Sequence, residues 1–350
     1  MQPNIRGGIP EVPIPQTAMA DPDSDLRNHL RSAVSSVVRR GLADSVLPTL
    51  IDAIAEIAKA LRKAQHVSHA GSANTFGDEQ LNVDVLAEAS IRDAIARCRY
   101  VVTASSEEDP VERTVQTPEN ASSAPQEHYT VAFDPLDGSS IIAPNWTVGT
   151  IVGVWDGKTA LNQPPAAKQV AAVLGVYGPR TTAIVAVRVP GGEPLCLEIG
   201  VGENGFRDSE LIRPVVRLGE TSAVKTRYFA PANLRAAAEN EKYMSLVSHY
   251  IQSKYTLRYS GGLVPDVVHA LVKGHGVYIS PVTTASKAKL RRLYELFPLA
   301  LIVECAGGKA IDPADGTNIL DRQLEDLNET AGLVCGTAGE VDFVKKTFLE

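Results

Sequence analysis

The run Asp134-Pro135-Leu136-Asp137-Gly138-Ser139-Ser140 sets two carboxylates three residues apart, with a rigid proline between them and a turn of small residues after them. It follows the apolar stretch Val131-Ala132-Phe133 directly. Carboxylates at a strand end suit hard divalent cations such as Mg²⁺, which take oxygen ligands and keep some waters. Gly138, Ser139 and Ser140 add backbone N–H groups able to meet a phosphate. Taken alone, Asp137-Gly138 reads as an ordinary turn after a strand.

Three further acidic segments change that reading. Ser106-Glu107-Glu108 follows a second predicted strand, Gly77-Asp78-Glu79-Gln80 precedes a predicted helix carrying Asp84, and Tyr294-Glu295 ends a helix predicted from Ser286. Each by itself is an ordinary solvated acid. Gathered at strand and helix ends, they make one carboxylate site. Like charges a few ångströms apart repel by about 1 kcal/mol even at water's dielectric, and by more inside a protein, so bound cations are what such a cluster requires.

The elements that must hold these groups are legible in outline. Leu47, Leu50, Ile54, Ile57 and Leu61 recur at helical spacing, giving two amphipathic helices broken near Gly41, and a further helix is predicted over Val83 to Ile95. Strands are predicted at Tyr100 to Thr103, Tyr129 to Phe133, Thr147 to Trp155, Ala171 to Tyr177 and Thr181 to Val189. Past residue 220 the pattern becomes a helix over Glu239 to Ser253, a strand near Gly276 to Ile279, the helix over Ser286 to Glu295, and helix-strand alternation. This is a mixed α/β chain in two lobes, 25–219 and 220–350, behind a proline-rich tail, 1–24, predicted to be flexible.

The chain has 350 residues, 44% of them hydrophobic, enough for a substantial core. Its 34 basic and 41 acidic residues give a net charge of −7 with no basic block, which argues against nucleic acid or an anionic membrane as partner. No stretch approaches the ~18 apolar residues of a membrane span. Four widely spaced cysteines, Cys98, Cys196, Cys305 and Cys335, suggest free thiols in a reducing, cytoplasmic setting.

With these segments in view, the sequence resembles the fructose-1,6-bisphosphatase and sedoheptulose-1,7-bisphosphatase family of metal-dependent sugar phosphatases. The resemblance runs from about residue 30 onward. It is carried by Phe76 to Gln80, Asp134 to Ser140, Tyr177-Gly178-Pro179-Arg180, Pro231 to Arg235, Arg258-Tyr259-Ser260-Gly261-Gly262 and Lys287 to Arg291. In detail it is closer to the sedoheptulose branch. It implies a layered αβαβα sandwich and hydrolysis of the 1-phosphate of a small-molecule sugar bisphosphate by a metal-activated water. Two or three Mg²⁺ ions are implied, with Mn²⁺ as a substitute, in a homodimer or homotetramer. Asp78, Glu107, Asp134, Asp137 and Glu295 would hold the metals together with the Leu136 carbonyl. Asp84 and Glu108 would orient and deprotonate the attacking water. Gly138, Ser139, Ser140, Asn233, Tyr259, Lys289 and Arg291 would hold phosphate and sugar, and Arg258 matches a residue reaching into a neighbouring subunit's site. The cations of the predicted helix would divide, Lys289 and Arg291 toward the second phosphate and Lys287 and Arg292 outward.

Two departures stand out. Ala143 occupies the position three residues beyond the Gly-Ser-Ser turn where the family usually has an aspartate, which leaves open a diverged or slower activity. Ser280 stands where fructose bisphosphatases carry a tyrosine. Inhibition by AMP and a regulatory cysteine pair are not expected. His66 and His69 lack a third ligand for zinc. Gly200-x-Gly202-x-x-Gly205 is followed by charged residues instead of an apolar-faced helix, so it reads as a glycine-rich loop.

Overall fold

The computed structural model describes residues 22–34, 39–73, 79–115, 127–220, 222, 224–287 and 289–349. Helix α1 (Pro22–Ala33) is followed by a π-helical turn (Leu42–Val46) that runs into α2 (Leu47–Lys63); Gly41 is itself helical at φ −60°, so the break expected near it lies upstream, where α1 ends at Ala33. A small antiparallel pair, β1 (His69–Ala73) and β2 (Glu79–Leu81), leads into α3 (Asn82–Ile95). The chain then builds an eight-stranded sheet. Its strands are β3 (Val101–Ser106), β4 (Arg113–Thr114), β5 (Tyr129–Asp137), β6 (Val148–Asp156), β7 (Gln169–Tyr177), β8 (Thr181–Val187), β9 (Leu195–Gly202) and β10 (Gly205–Arg213). They lie in the order β10-β9-β8-β7-β6-β5-β3-β4, with β3 and β5 the parallel pair. Short helices α4 (Ser139–Ile142) and α5 (Pro165–Lys168) fill two connections. The glycine-rich run at 200–205 is the β9–β10 hairpin turn, its Asn204 N–H donating to Asp208 at 3.0 Å.

The remainder forms a second sheet of β11 (Tyr228–Pro231), β12 (Thr256–Leu257), β13 (Val277–Ser280), β15 (Lys309–Ile311) and β17 (Leu333–Gly336), in the order β12-β11-β13-β17-β15. Around it run α6 (Glu241–Gln252), α7 (Leu263–Lys273), α8 (Phe297–Cys305) and α9 (Ala338–Leu349). A two-residue ladder joins β14 (Leu290–Arg291) to β16 (Thr330–Ala331).

Side chains alternate across each strand, so each sheet offers two apolar faces, and the core falls into three sheets of contact. Val131, Phe133, Val173 and Val185 pack with residues of α1, α2 and α3. Their strand neighbours Ala132, Ile151, Leu174 and Ile184 point the other way, onto α7 and α8. Across that helix pair lie Tyr278, Leu333 and Cys335 of the second sheet, whose outer face, with Val277, Ile279 and Val334, is covered by α6 and α9. The result is the layered αβαβα sandwich. Helix α8 in the central layer is apolar on every side, with only Glu304 less than fully buried, as a helix between two sheets must be.

The predicted helix over Ser286 to Glu295 is not found. Residues 281–287 and 289 are irregular, Leu290–Arg291 is strand, and a π-helical turn (Arg292–Leu296) leads into α8. The cations at 287, 289 and 291 are two apart, which is strand spacing and not helix spacing. Arg292 is also not an outward cation. It is buried and paired with Asp312 and Glu329.

The two π-helical turns share a cause. Leu47 N–H donates to Leu42 O and Phe297 N–H to Arg292 O, one residue longer than the α-helical reach, and each is followed by a proline, Pro48 or Pro298. Proline has no N–H for the i−4 carbonyl and its ring collides with that carbonyl, so the turn widens to pass it.

Candidate metal and phosphate site

Strand β5 carries the site. All nine of its residues are buried, and its parallel pairing with β3 sets Ser106 opposite Phe133, so both strands end together. Glu107 N–H donates to Phe133 O at 3.0 Å, which brings Glu107 beside Asp134; Glu108, half-buried, follows it. In a regular strand two residues three apart point to opposite faces. Here the β5–β6 register shifts between Asp134 and Asp137, and that bulge turns both carboxylates to one side.

The peptide between Pro135 and Leu136 is pinned at both ends. Leu136 N–H donates to Asp134 Oδ1 at 3.0 Å, and Thr150 Oγ1 donates to Pro135 O at 2.7 Å. Thr150 Oγ1 also lies 2.7 Å from the Tyr177 hydroxyl. With its one proton given to Pro135, Thr150 accepts from Tyr177.

Asp137 sits at the N-terminus of α7, its Oδ1 accepting from Leu263 N–H at 3.2 Å and its Oδ2 from Val264 N–H at 2.7 Å. The helix comes this close because β6 carries Gly149 beneath it, where a Cβ would stand 2.4 Å from Val264. Glu295, in the π-helical turn, is buried and accepts from Arg291 N–H. Oxygens of Asp134, Asp137 and Glu295 lie within 4.8 Å of one another.

Burial first, then the neighbouring carboxylates Glu107, Asp137 and Glu295, holds the Asp134 carboxyl well above the usual range. Glu295 is raised likewise, by burial and then by Glu107. Asp137 is pushed up to about 6 by burial, against the pull of the Val264 and Leu263 N–H groups. Three buried carboxyls that cannot all ionise alone, with oxygen as their only donor atom, fit hard divalent cations.

Around this centre the other predicted residues take up distinct places. Asp84, buried in the first turn of α3, accepts from Leu81 N–H at 2.9 Å; burial raises its pKa, opposed by hydrogen bonds from Leu81 and Ser139. That bond ties α3 to the turn after β5. Gly138, at φ 103°, makes the left-handed step that starts this turn, and Ser139 and Ser140 are exposed on it. Ala143, also exposed, closes it. Arg291 lies at the cluster, its Nε 3.7 Å from Glu107 Oε1, while Lys289 is exposed. Asn233, left-handed at φ 49°, donates from Nδ2 to Pro281 O at 2.9 Å, and its backbone N–H bonds the Tyr259 hydroxyl. Arg258 and Tyr259, both exposed, border an open hollow of about 870 Å³ lined also by Trp146, Arg180, Asp266 and His269. Asp78 lies outside the described residues.

Sequence reasoning missed Thr150, Tyr177 and Asp266. Tyr177 belongs to a segment that carried the family resemblance without a role. Asp266, an acid in the first turn after Gly261-Gly262, left a turn-like signal that was available.

The chain matches the sequence models described as fructose-1-6-bisphosphatase, N-terminal domain, over residues 32–206, and C-terminal domain, over residues 223–348. It is 39% identical over 277 residues to the chloroplastic sedoheptulose-1,7-bisphosphatase of Spinacia oleracea, covering 78% of this chain and 66% of that protein. It is 34% identical over 324 residues to the class 1 fructose-1,6-bisphosphatase of Geobacter sulfurreducens, covering 91% and 93%. A Toxoplasma gondii crystal structure assigned provisionally as a sedoheptulose-1,7 bisphosphatase superposes with a TM-score of 0.80 at 34% identity, over 92% of this chain and 98% of the other.

Proposed function

The chain belongs to the fructose-1,6-bisphosphatase family and is a sugar-bisphosphate phosphatase, and on that premise we propose that it hydrolyses the 1-phosphate of sedoheptulose 1,7-bisphosphate with Mg²⁺ as cofactor. The buried cluster of Asp134, Asp137 and Glu295 carries the phosphatase reading. The higher identity to the spinach relative favours the seven-carbon sugar.

In this reading Asp134, Asp137, Glu295, Glu107 and Asp78, with the Leu136 carbonyl, hold two or three divalent cations, Mn²⁺ replacing Mg²⁺. Bound there, such cations neutralise charge on the transferring phosphoryl group and lower the pKa of water. Asp84 and Glu108 orient the attacking water and take its proton. Burial raises Asp84 toward the working pH, where a base is most effective. Water oxygen bonds to phosphorus as its proton passes to Asp84 and Glu108, the bond to the sugar oxygen breaks, and the sugar oxygen takes a proton from solvent water. Ser139, Ser140 and Gly138 line the phosphate at the turn, and Arg291 adds positive charge beside Glu107. Asn233, Tyr259 and Lys289 take the far end of the sugar and its second phosphate. Residues 25–219 form the metal lobe and residues 220–350 the sugar lobe, which also lends Glu295 to the metal cluster.

Arg258, at the edge of the hollow, fits a homodimer or homotetramer in which this face meets a second copy. All four cysteines are free and buried, with burial pushing Cys335 up to about 12, in keeping with a cytoplasmic enzyme without a thiol switch.

The deciding experiment compares kcat/KM for sedoheptulose 1,7-bisphosphate and fructose 1,6-bisphosphate on purified protein. A strong preference for the six-carbon sugar overturns the seven-carbon reading. Ala143 motivates a second reading, a diverged member that binds a phosphosugar and turns it over weakly. No phosphate release from a bisphosphate panel despite intact binding, with activity appearing in Ala143→Asp, would establish it.

A further inference from the structure

Five consecutive backbone N–H groups, those of residues 260 to 264, are each taken by a side-chain oxygen. Ser260 and Gly261 donate to Asp266 Oδ1 and Oδ2 at 2.7 and 3.2 Å, Gly262 donates to Ser260 Oγ at 3.3 Å, and Leu263 and Val264 donate to Asp137. Asp266 lies inside the first turn of α7, yet it reaches back to amides that precede the helix, while the helix's own first amides go to Asp137 of β5. Only 6% of Asp266 is exposed, so its carboxylate is committed to this contact. Upstream, Arg258 N–H is fixed on Phe229 O at 3.0 Å. Tyr259 is thus suspended between two anchors with its backbone held, and its exposed side chain, whose hydroxyl accepts from Asn233 N–H, keeps its own O–H proton for a ligand.

We infer that Asp266 is a positioning residue that sets the Arg258-Tyr259 loop against the Asp137 end of the metal cluster, so that the sugar-binding contacts keep a fixed distance from the phosphate being cleaved. The inference rests on the reading of Tyr259 as a sugar contact. Asparagine at 266 keeps the volume but turns an amide NH₂ toward one of two N–H donors, loosening the loop without opening a cavity.

The test is a double-mutant cycle of Asp266→Asn and Tyr259→Phe, read as separate kcat and KM values with Mg²⁺ and whichever of the two sugar bisphosphates is the better substrate. Losing about one hydrogen bond's worth of positioning, Asp266→Asn raises KM about 10-fold and changes kcat less than about 3-fold. In the Tyr259→Phe background the same substitution adds less than about 2-fold, because the contact it positions is already gone. A full effect in that background, or a fall in kcat at unchanged KM, overturns the inference. An effect of Tyr259→Phe with none from Asp266→Asn overturns it while leaving the sugar-site reading intact. A Tyr259→Phe variant with unchanged KM overturns both. Should Asp266→Asn not fold, Ser260→Ala removes the acceptor of Gly262 N–H and a hydroxyl beside Asp266. It carries a prediction in the same direction, a KM raised about 3-fold at constant kcat, and the same result against it.

Discussion

At the scale of single residues, the site is defined by carboxylates placed where they repel one another, and its substitutions should separate activity from folding. Asp134→Asn or Glu107→Gln lowers kcat by about 10³-fold or more, since a cation site that neutralises the transferring phosphoryl group is lost. In chelator the Asp134→Asn protein melts no lower than the parent, because a raised, crowded charge has been removed. Calorimetry beside a phosphate-release assay checks both halves. Lys289→Ala, at an exposed position without a role in holding the cations, raises KM with kcat within about 2-fold. The acids at 107, 134 and 137 were legible because each follows a strand announced by its apolar and β-branched content, whereas Glu295 was placed on a helix that the structure replaces with a strand and a π-helical turn. Asp266 left only the turn-like signal of an acid after Gly261-Gly262, and its bonds to the amides of 260 and 261 gain meaning only once β5 delivers Asp137 to the same helix end. Ala143 was legible only as a substitution against a family pattern.

At the scale of elements, the turn that presents Glu295 is a product of Pro298. Pro298→Ala restores an N–H able to bond Tyr294 O and allows the π-helical turn to relax to α-helix, shifting Glu295 relative to Asp134 and Asp137. A displacement of this kind costs about 100-fold in kcat. Pro48→Ala, in the matching turn before α2, leaves kcat within about 2-fold and serves as the control. Steady-state kinetics with circular dichroism distinguishes a moved ligand from a lost fold. This segment is also where the sequence misled. Four cations between 287 and 292 look like a charged helical face, but the two-residue spacing of 287, 289 and 291 and the proline at 298 fit an extended segment, ending in the strand Leu290–Arg291, and a widened turn. The long strands of the first sheet were readable because their alternation is uninterrupted; the β5 bulge was not, because a register shift is written jointly by two strands.

At the scale of the whole molecule, cation binding and stability are linked. Asp137 has a folded-state pKa of about 6, above the ordinary carboxylate value, so the folded protein holds this proton more tightly than the unfolded chain. Its stabilising contribution is complete at low pH and is lost as pH rises through about 6, in the same direction as those of Asp134 and Glu295. Cations compete with those protons. The increase in Tm caused by millimolar Mg²⁺ is therefore small at pH 5 and large at pH 8; an equal increase at both would contradict the cluster as the binding site. The change of pattern near residue 220 was legible, but the close joining of the two sheets was not, because it rests on helices α7 and α8 buried between them. Helix α8 lies between both sheets, and its backbone amides have no path to water that does not part them. In deuterated solvent these should be among the last protons exchanged, and their exchange would clock the opening of the entire fold, a timer that reports on both sheets at once.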